Sequence, residues 1–388
     1  MKSQLYSALC LWLSGLAWSA QAAPEPPVIR RPDVSFRNEV RHSIDQGLQW
    51  LQSHQNSNGW WSTADHPAVT ALALSAFMGE PAGAFQAHPT PAIERGYHFI
   101  VDHAKPDGSI YEKGLANYNT AICMMGLIAA RNPQYDPLLR KARQWLISQQ
   151  VDLNQKGKTD SPYGGGVGYG GSGTHSDMNN TFTALEALYY SKYLVRDQPQ
   201  AGAKDLDWAA AIHFIQSCQN LPAYNKEPWA SDDPKDKGGF IYEPGESKAG
   251  AVTNAGGRVA LRSYGSISYA GMLSYIYADL KPDDPRVVAV YDWLRQNYTV
   301  DENPGMGQQG LYYYLLLMTK ALAIYGVDQL PVNSGQTLDW RRQVAMKLMN
   351  LQKADGSWAN ENARWWEHDA SLVTSYSLIS LEILYRGL

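Results

Sequence analysis

The segment HSDMNNT, His175–Thr181, places a carboxylate and two amides next to a predicted helix start. Asp177 could perform acid–base chemistry, and His175 is the nearest second titratable group. Asn179 and Asn180 are candidate ligand-binding amides because each offers a donor and an acceptor. Asp and Asn are also favoured N-cap residues, so the same segment fits a purely structural role. The sequence leaves both roles open.

A second candidate is the pair His368–Asp369, which follows Trp365 and Trp366. A histidine beside a carboxylate could act as a general base or acid. The alternative is an N-capping aspartate with an exposed histidine beside it. Asp65–His66 repeats the arrangement early in the chain, which indicates that some of these pairs are caps. No Gly-x-Ser-x-Gly elbow or Cys/His arrangement indicates covalent hydrolysis.

These candidates lie in a chain with strong internal repetition. Six segments share a bulky apolar pair followed by a polar residue and a loop, namely 48–61, 97–111, 143–150, 212–219, 291–298 and 346–358. An almost wholly apolar segment follows each of them, at 68–77, 118–128, 181–190, 266–277, 312–325 and 372–385. Apolar helices belong inside and helices with a charged face belong outside. The sequence therefore predicts six helical hairpins.

Such hairpins can stack into an open solenoid or close into a ring. Neither end carries an obviously polar capping repeat, so we predict closure: an all-α (α/α)6 toroid, residues 38–388, in one domain. The six inner helices would begin at one rim of a central chamber, where free N–H groups suit an anionic ligand or capping side chains. The polar residues at those starts are Asp65, His66, Asn117, Asn119, Asp177, Asn179, Asn180, Ser263, Tyr264, Ser266, Gln308, Gln309, His368 and Asp369.

Residues 1–22 have the features of a secretory signal peptide: Lys2, an apolar run too short to span a bilayer, and a small-x-small cleavage site at 20–22. An extended Pro-rich arm, residues 23–37, is expected to follow. We therefore predict a periplasmic or secreted protein without a stable membrane anchor. The formal charge of −4 gives no electrostatic reason to expect nucleic acid. Cys123 and Cys218 lie in apolar helical patterns and are predicted to be buried free thiols.

The stretch LQKADGSW, residues 351–358, resembles the QW repeat of the squalene cyclases and the protein prenyltransferase β subunits. The resemblance covers all six hairpins, and residues 164–173, 256–271, 301–314 and 365–382 are similar to exported bacterial prenyltransferase and squalene-oxidase-repeat proteins of unsettled function. It implies an α/α toroid whose chamber is lined with aromatic faces able to stabilise a carbocation. Tyrosine at helical spacing also suits a core. The inner-helix tyrosines in question are Tyr264, Tyr269, Tyr312, Tyr313 and Tyr376.

The resemblance fails at the known catalytic groups. Squalene-hopene cyclases protonate their substrate with the central Asp of an Asp-x-Asp-Asp-Thr motif, which corresponds to residues 177–181 here, so Asn179 takes the donor position. The zinc ligands of the prenyltransferases correspond to Gln309, Leu311 and Val373, and neither Leu nor Val can bind a metal. We therefore expect no metal and no cofactor.

The leading hypothesis is an exported toroid that binds an isoprenoid or similar apolar ligand; an enzymatic form would be a non-standard, zinc-independent cyclase-like lyase or isomerase. A carbohydrate-active enzyme or glycan binder is the alternative, because Trp and Tyr stack on sugar rings, and a peptide- or protein-binding scaffold is the third. Candidate catalytic residues are Asp177, His368 and Asp369. Candidate ligand-binding residues are His175, Asn179, Asn180, Tyr264, Ser266, Tyr269, Gln309, Tyr312, Tyr313, Trp365, Trp366 and Tyr376.

The glycine-rich loop 162–173 is the last feature of note. It contains a GxGxxG pattern, but no predicted strand precedes it, so dinucleotide binding is not indicated. A mobile lid and a tightly packed turn both remain compatible with its composition.

Overall fold

The computed structural model describes residues 33–151, 161–170, 175–196, 205–253, 257–332 and 335–388. All six predicted hairpins are present in these ranges, which confirms the all-α toroid. The outer helices are α1 (Val34–Ser53), α4 (Pro91–Asp102), α6 (Asp136–Ser148), α9 (Trp208–Ser217), α11 (Pro285–Gln296) and α13 (Trp340–Leu351). The inner helices are α2 (Pro67–Gly79), α5 (Ala116–Ala129), α7 (Met178–Tyr190), α10 (Gly265–Tyr277), α12 (Leu311–Tyr325) and α14 (Ala370–Arg386).

The remaining elements are small. Two short helices, α3 (Ala84–Ala87) and α8 (Tyr193–Arg196), and two 3-10 turns, at Pro133–Tyr135 and Arg364–Trp366, lie in the connections. Two antiparallel hairpins pair β1 (Ala251–Thr253) with β2 (Val259–Leu261), and β3 (Leu330–Pro331) with β4 (Thr337–Leu338). None of the helices in the described ranges is long and apolar enough to cross a membrane.

The inner helices form a closed ring. Each of them contacts the next in chain order, from α2 to α14, and α14 contacts α2 in turn. The outer helix α1 also packs on α14, so the first and last hairpins are joined. The inner helices are buried on nearly every side, as their sequences predict, while each outer helix buries one face.

The repeated Gln and Trp residues hold the hairpins together. In the last repeat Gln352 accepts from Ser43 Oγ at 2.7 Å and donates to the carbonyls of Ser43 and Gly356, so its amide ties the final loop to the first outer helix. The indole of Trp358 donates to Leu348 O, and its backbone N–H donates to Thr374 Oγ1 on the inner helix. The first repeat makes the equivalent bonds through Gln55, Trp61 and Thr70.

The chain enters the domain earlier than predicted. Helix α1 begins at Val34, because Asp33 accepts from the backbone N–H of Phe36 and caps it, so residues 34–37 are helical instead of extended. Asp33 also pairs with Arg342 on α13 at 2.9 Å. The predicted signal peptide and residues 23–32 of the predicted arm lie outside the described residues. Cys123 and Cys218 are buried and unpaired, as predicted.

An ion pair connects two inner helices in the lower part of the lumen. Lys320 on α12 pairs with both carboxylate oxygens of Glu186 on α7, at 2.8 and 3.1 Å, and Tyr277 donates to the same carboxylate. Glu186 is 3% exposed. Since α10 lies between α7 and α12 in the ring, this ion pair crosses the lumen.

Candidate functional site

A cavity of about 630 Å³ opens at the end of the ring where the inner helices begin. That volume is typical of small-molecule sites. Its aromatic lining consists of Tyr118, Tyr169, Tyr242, Tyr264, Tyr313, Trp365, Trp366 and Tyr376, and its aliphatic lining of Ala68, Val69, Leu115, Ile267 and Leu372. The polar groups are His66, His175, Asp177, Asn179, Glu243, Lys248, Ser266, Arg364 and Glu367.

The helix starts at this rim are capped by protein groups. Asn119 accepts from Ala68 N at the start of α2, and Asn303 accepts from Ser266 N at the start of α10. Glu367 accepts from the backbone N–H groups of Tyr312 and Tyr313 at the start of α12. In each case the cap comes from the next hairpin along the ring. These N–H groups are therefore already bonded and do not form an anion site.

Asp177 caps its own helix and also faces the cavity. Its Oδ1 accepts from Asn180 N at 2.9 Å, and its Oδ2 accepts from Asn180 Nδ2 at 2.6 Å. The side chain is almost fully buried, and desolvation raises the pKa of its carboxyl group to about 6 despite these bonds. A carboxyl group with that pKa can exchange protons with oxygen or nitrogen atoms near neutral pH. It is also a weaker acid than an ordinary aspartate.

A second carboxyl group reaches the cavity from the long connection between α9 and α10. Desolvation, Glu246 and Asp177 together raise the pKa of Glu243 to about 7. Its neighbour Tyr242 shares a hydrogen bond of 3.0 Å with Tyr169, and the carbonyl of Tyr242 accepts from Met178 N at the start of α7. The connection is thereby fixed against the helix that carries Asp177.

The 3-10 turn before α14 forms another part of the wall. Trp365 and Trp366 both have positive φ, at 55° and 65°, which bulky residues rarely adopt. They remain 42% and 45% exposed, with Trp366 edge-on to His66 at 5.0 Å. Gly310 lies directly behind Trp365, where a Cβ atom would come within 2.9 Å of the indole. Strained, exposed aromatic residues at a cavity mouth are typical of ligand-binding segments.

Three tyrosines and one amide close the inner end of the cavity. Tyr118 and Tyr376 have their hydroxyl oxygens 3.4 Å apart, and the rings of Tyr313 and Tyr376 are 5.8 Å apart. Tyr313 Oη donates to Asn179 Oδ1. Below this layer lies the Lys320–Glu186 ion pair, so the cavity is a bowl and not a channel through the ring.

The structure brings many of the predicted residues to the cavity, while their roles stay predictions. Those that line it are His175, Asp177, Asn179, Tyr264, Ser266, Tyr313, Trp365, Trp366 and Tyr376. Asn180 lies just behind the wall, where it bonds Asp177. Gln309 accepts from Arg364 at the mouth.

Four predicted residues lie away from the cavity. Tyr269 packs against Tyr314 in the core, and Tyr312 is buried off the lumen, because neighbouring residues on a helix point about 100° apart. Asp369 caps α14 and accepts from Ser62 Oγ at 2.7 Å, and His368 is exposed to solvent outside the lining. The His368–Asp369 pair therefore does not face the cavity.

Sequence reasoning did not select several lining residues as ligand or catalytic candidates. The polar ones are His66, Tyr118, Tyr169, Tyr242, Glu243, Lys248, Arg364 and Glu367. Two sequence features could have pointed to these residues. The first is the length of the connection from 218 to 264, because loops of that length in compact domains are often functional. The second is the position of Arg364 directly before the tryptophan pair.

The described part of the glycine-rich loop is packed and not open. Gly165 and Gly168 lie so close to the carbonyls of Ala210 and His175 that a Cβ atom on either would come within 2.0 Å of oxygen. Gly166 packs against Phe214. Residues 162–170 thus behave as a tight turn, while 171–173 lie outside the described residues.

Comparison with solved structures supports the fold. No protein-family model matches the sequence, and no curated protein is significantly similar to it in sequence. A variant of the type II terpene cyclase MstE from Scytonema, in complex with geranylgeranyl dihydroxybenzoate, superposes with a TM-score of 0.54 at 12% identity over 92% of this chain and 99% of the other. The α-1,6-mannanase GH76A from Salegentibacter sp. HEL1_6 gives 0.53 at 10% identity over 88% and 99%. An inactive variant of that mannanase, in complex with α-1,6-mannotriose, gives 0.52 at 11%. Terpene cyclases and mannanases thus share this α/α toroid.

Proposed function

We propose that the protein binds an isoprenoid or similar apolar ligand in the chamber. The observation that carries the proposal is the lining, in which eight aromatic and five aliphatic side chains surround a cavity of about 630 Å³. Burial of a prenyl chain against these faces would stabilise the complex by roughly 25 cal/mol per Å² of apolar surface. The match to a cyclase bound to a geranylgeranyl compound supports the same ligand class.

The proposal includes membership of the QW-repeat proteins and export from the cytoplasm. Membership is supported by the common structural role of the repeated residues, seen in the bonds of Gln55, Trp61, Gln352 and Trp358. Export is supported by the signal-peptide features of residues 1–22.

Binding is favoured over standard cyclisation. Asn179 holds no acidic proton, and its carbonyl oxygen is occupied by Tyr313. The carboxyl group beside it, Asp177, has a pKa of about 6, so it is a weak proton donor for a carbon–carbon double bond.

A cavity-filling variant tests the proposal. Ile267→Trp would add bulk inside the bowl, whereas Ile324→Trp places the same change on an exposed surface of α12, where Ile324 is 40% exposed. We expect saturable binding of geranylgeraniol by the wild type and by Ile324→Trp, measured by titration calorimetry, and a loss of at least tenfold in Ile267→Trp. Absence of saturable binding to the wild type would refute the proposal.

A glycan ligand is the second candidate, favoured by a specific observation. Asp177 and Glu243 both face the cavity with raised pKa values, and two exposed tryptophans stand at its mouth. Glycoside hydrolysis needs two carboxyl groups, one of them protonated. Incubation with an oligosaccharide panel, with Asp177→Asn and Glu243→Gln as controls, should release products only from the wild type if this candidate holds. No product and no oligosaccharide binding would exclude it.

A further inference from the structure

The two sides of the cavity carry different charge. Asp177 and Glu243 belong to the α7 side, since Tyr242, next to Glu243, is bonded to the start of that helix. Arg364 lies on the turn that precedes α14. In the ring of six inner helices α14 is the third neighbour of α7 in either direction, so the two helices face each other. Two carboxyl groups, those of Asp177 and Glu243, therefore lie on the α7 side of the bowl, and the guanidinium of Arg364 lies on the opposite side, where the other charged lining residue is the buried Glu367.

Arg364 makes no ion pair with a described residue. Its guanidinium donates to the neutral amide oxygen of Gln309 and lies 4.7 Å from the Trp365 ring centroid. A guanidinium carries five N–H donors, so this side chain keeps donors for another acceptor. The Glu367 carboxylate, three residues after Arg364, is 1% exposed and is bonded to Asn360 and to the start of α12.

The other positive groups of the lining are less suited to an anion. Lys248 is paired with Glu246 and lies over the Tyr242 ring at 4.3 Å. Desolvation lowers the pKa of His66, which favours its neutral form. His175 lies on the α7 side, edge-on to Tyr163 at 4.7 Å. The N–H groups described at the starts of α2, α10 and α12 are already bonded, and Arg364 is the cation best placed for a ligand.

The backbone that follows Arg364 has an unusual conformation. The two tryptophans that follow it have left-handed backbone conformations, and Gly310 leaves room for the first of them. Such a conformation is unfavourable for bulky residues and is usually kept where function requires it.

We propose that the ligand of the chamber is an amphiphile with an anionic head, a carboxylate or a phosphate, and that Arg364 binds this head. The apolar chain then lies on the floor formed by Tyr118, Tyr313 and Tyr376. Trp365 and Trp366 cover the junction between head and chain. This inference rests on the proposed function, because it specifies the ligand of the same cavity.

Three probes with one chain length test the inference: geranylgeraniol, geranylgeranoic acid and geranylgeranyl phosphate. For the wild type we expect the anionic probe with the preferred head to bind at least tenfold more tightly than the alcohol, since a charge-assisted hydrogen bond exceeds a neutral one in strength. In Arg364→Gln that preference should fall to within about twofold, because the variant lacks the charge that binds the anionic head. Comparison of acid with phosphate identifies the head.

Arg95→Gln is the matched control, because Arg95 is an exposed arginine that also donates to a glutamine, Gln55, on the outside of the ring. It should retain the wild-type preference. Equal binding of all three probes by the wild type, or an unchanged preference in Arg364→Gln, would overturn the inference and leave the apolar chamber standing. Failure of all three to bind would overturn both.

Discussion

Tyr313 donates its hydroxyl hydrogen to Oδ1 of Asn179, and this bond joins α12 to α7 across the lumen. Seven residues further along both helices, or about 10 Å at 1.5 Å per residue, Lys320 and Glu186 join the same two helices again. The inner helices are thus connected through the lumen as well as along the ring. Asn179 is thus a contact in the floor of the cavity.

The first prediction concerns that floor. Tyr313→Phe removes the donor and leaves the Asn179 carbonyl without its partner, so the free energy of unfolding should fall by about 1 kcal/mol. Urea denaturation measures this change. Tyr325→Phe is the control, because its hydroxyl donates to Pro282 O at an exposed site and its loss should cost less. Equal losses in the two variants would show that the floor bond contributes no special stability.

The second prediction concerns ring closure. Gln352→Ala removes three hydrogen bonds, two from the last loop to Ser43 on the first outer helix and one to Gly356 within the loop, and should lower the free energy of unfolding by about 2 kcal/mol. Gln52→Ala, on the exposed face of α1, should change it by less than about 0.5 kcal/mol. Thermal or urea unfolding of both variants checks the difference. A Gln352→Ala protein as stable as the wild type would contradict the role assigned to the repeated glutamine.

The third prediction concerns pH. The pKa of Asp177 is about 6 in the folded protein against an ordinary value of 3.8, so the folded state binds more protons than the unfolded state between these values. Stability should therefore decrease as the pH rises from about 4 to 7, by about 3 kcal/mol for this group. In Asp177→Asn the slope of unfolding free energy against pH should become shallower over that window. An unchanged slope would show that Asp177 titrates normally.

The fourth prediction concerns the tryptophan turn. Gly310→Ala introduces both backbone strain, at φ of 66°, and a contact with Trp365. Gly307→Ala introduces similar strain, at φ of 60°, with no atom within 4 Å of its Cβ atom. Affinity for a prenyl probe should fall severalfold in Gly310→Ala only, while both lose about 1 kcal/mol of stability. Equal affinities would mean that Trp365 does not bind the ligand.

The fold could be predicted from the sequence because its signals are local. Three features recur along the chain: apolar inner segments, Gln and Trp positions, and a loop after each outer helix. The contacts that these features make lie within one hairpin or reach the neighbouring hairpin. Helix α1 begins four residues before the predicted domain start at residue 38, because Asp33 accepts from Phe36 N and caps it there. Closure followed from the absence of polar capping repeats.

The site could be predicted only in part, for physical reasons. Inner-helix starts were identifiable, so Asp177, Asn179 and Tyr313 were among the candidates. Glu243 and Lys248 lie on a connection without periodicity, and nothing local indicates which helix that connection contacts. The sequence also favoured His368–Asp369, whereas the left-handed turn at 365–366 places Arg364 and Glu367 at the cavity. Positive φ at tryptophan is too rare for sequence patterns to predict.

The contact of α14 with both α1 and α2 removes the distinction between terminal and internal repeats. In a linear array, the outermost units have a neighbour on one side only and can fray independently. Here every hairpin has two neighbours, so the loss of any one exposes two apolar faces. Unfolding of one hairpin alone therefore carries the free-energy cost of exposing both faces. The six hairpins should unfold in a single cooperative transition. For the same reason, a circularly permuted chain opened in another connection would keep every inter-hairpin contact of the original.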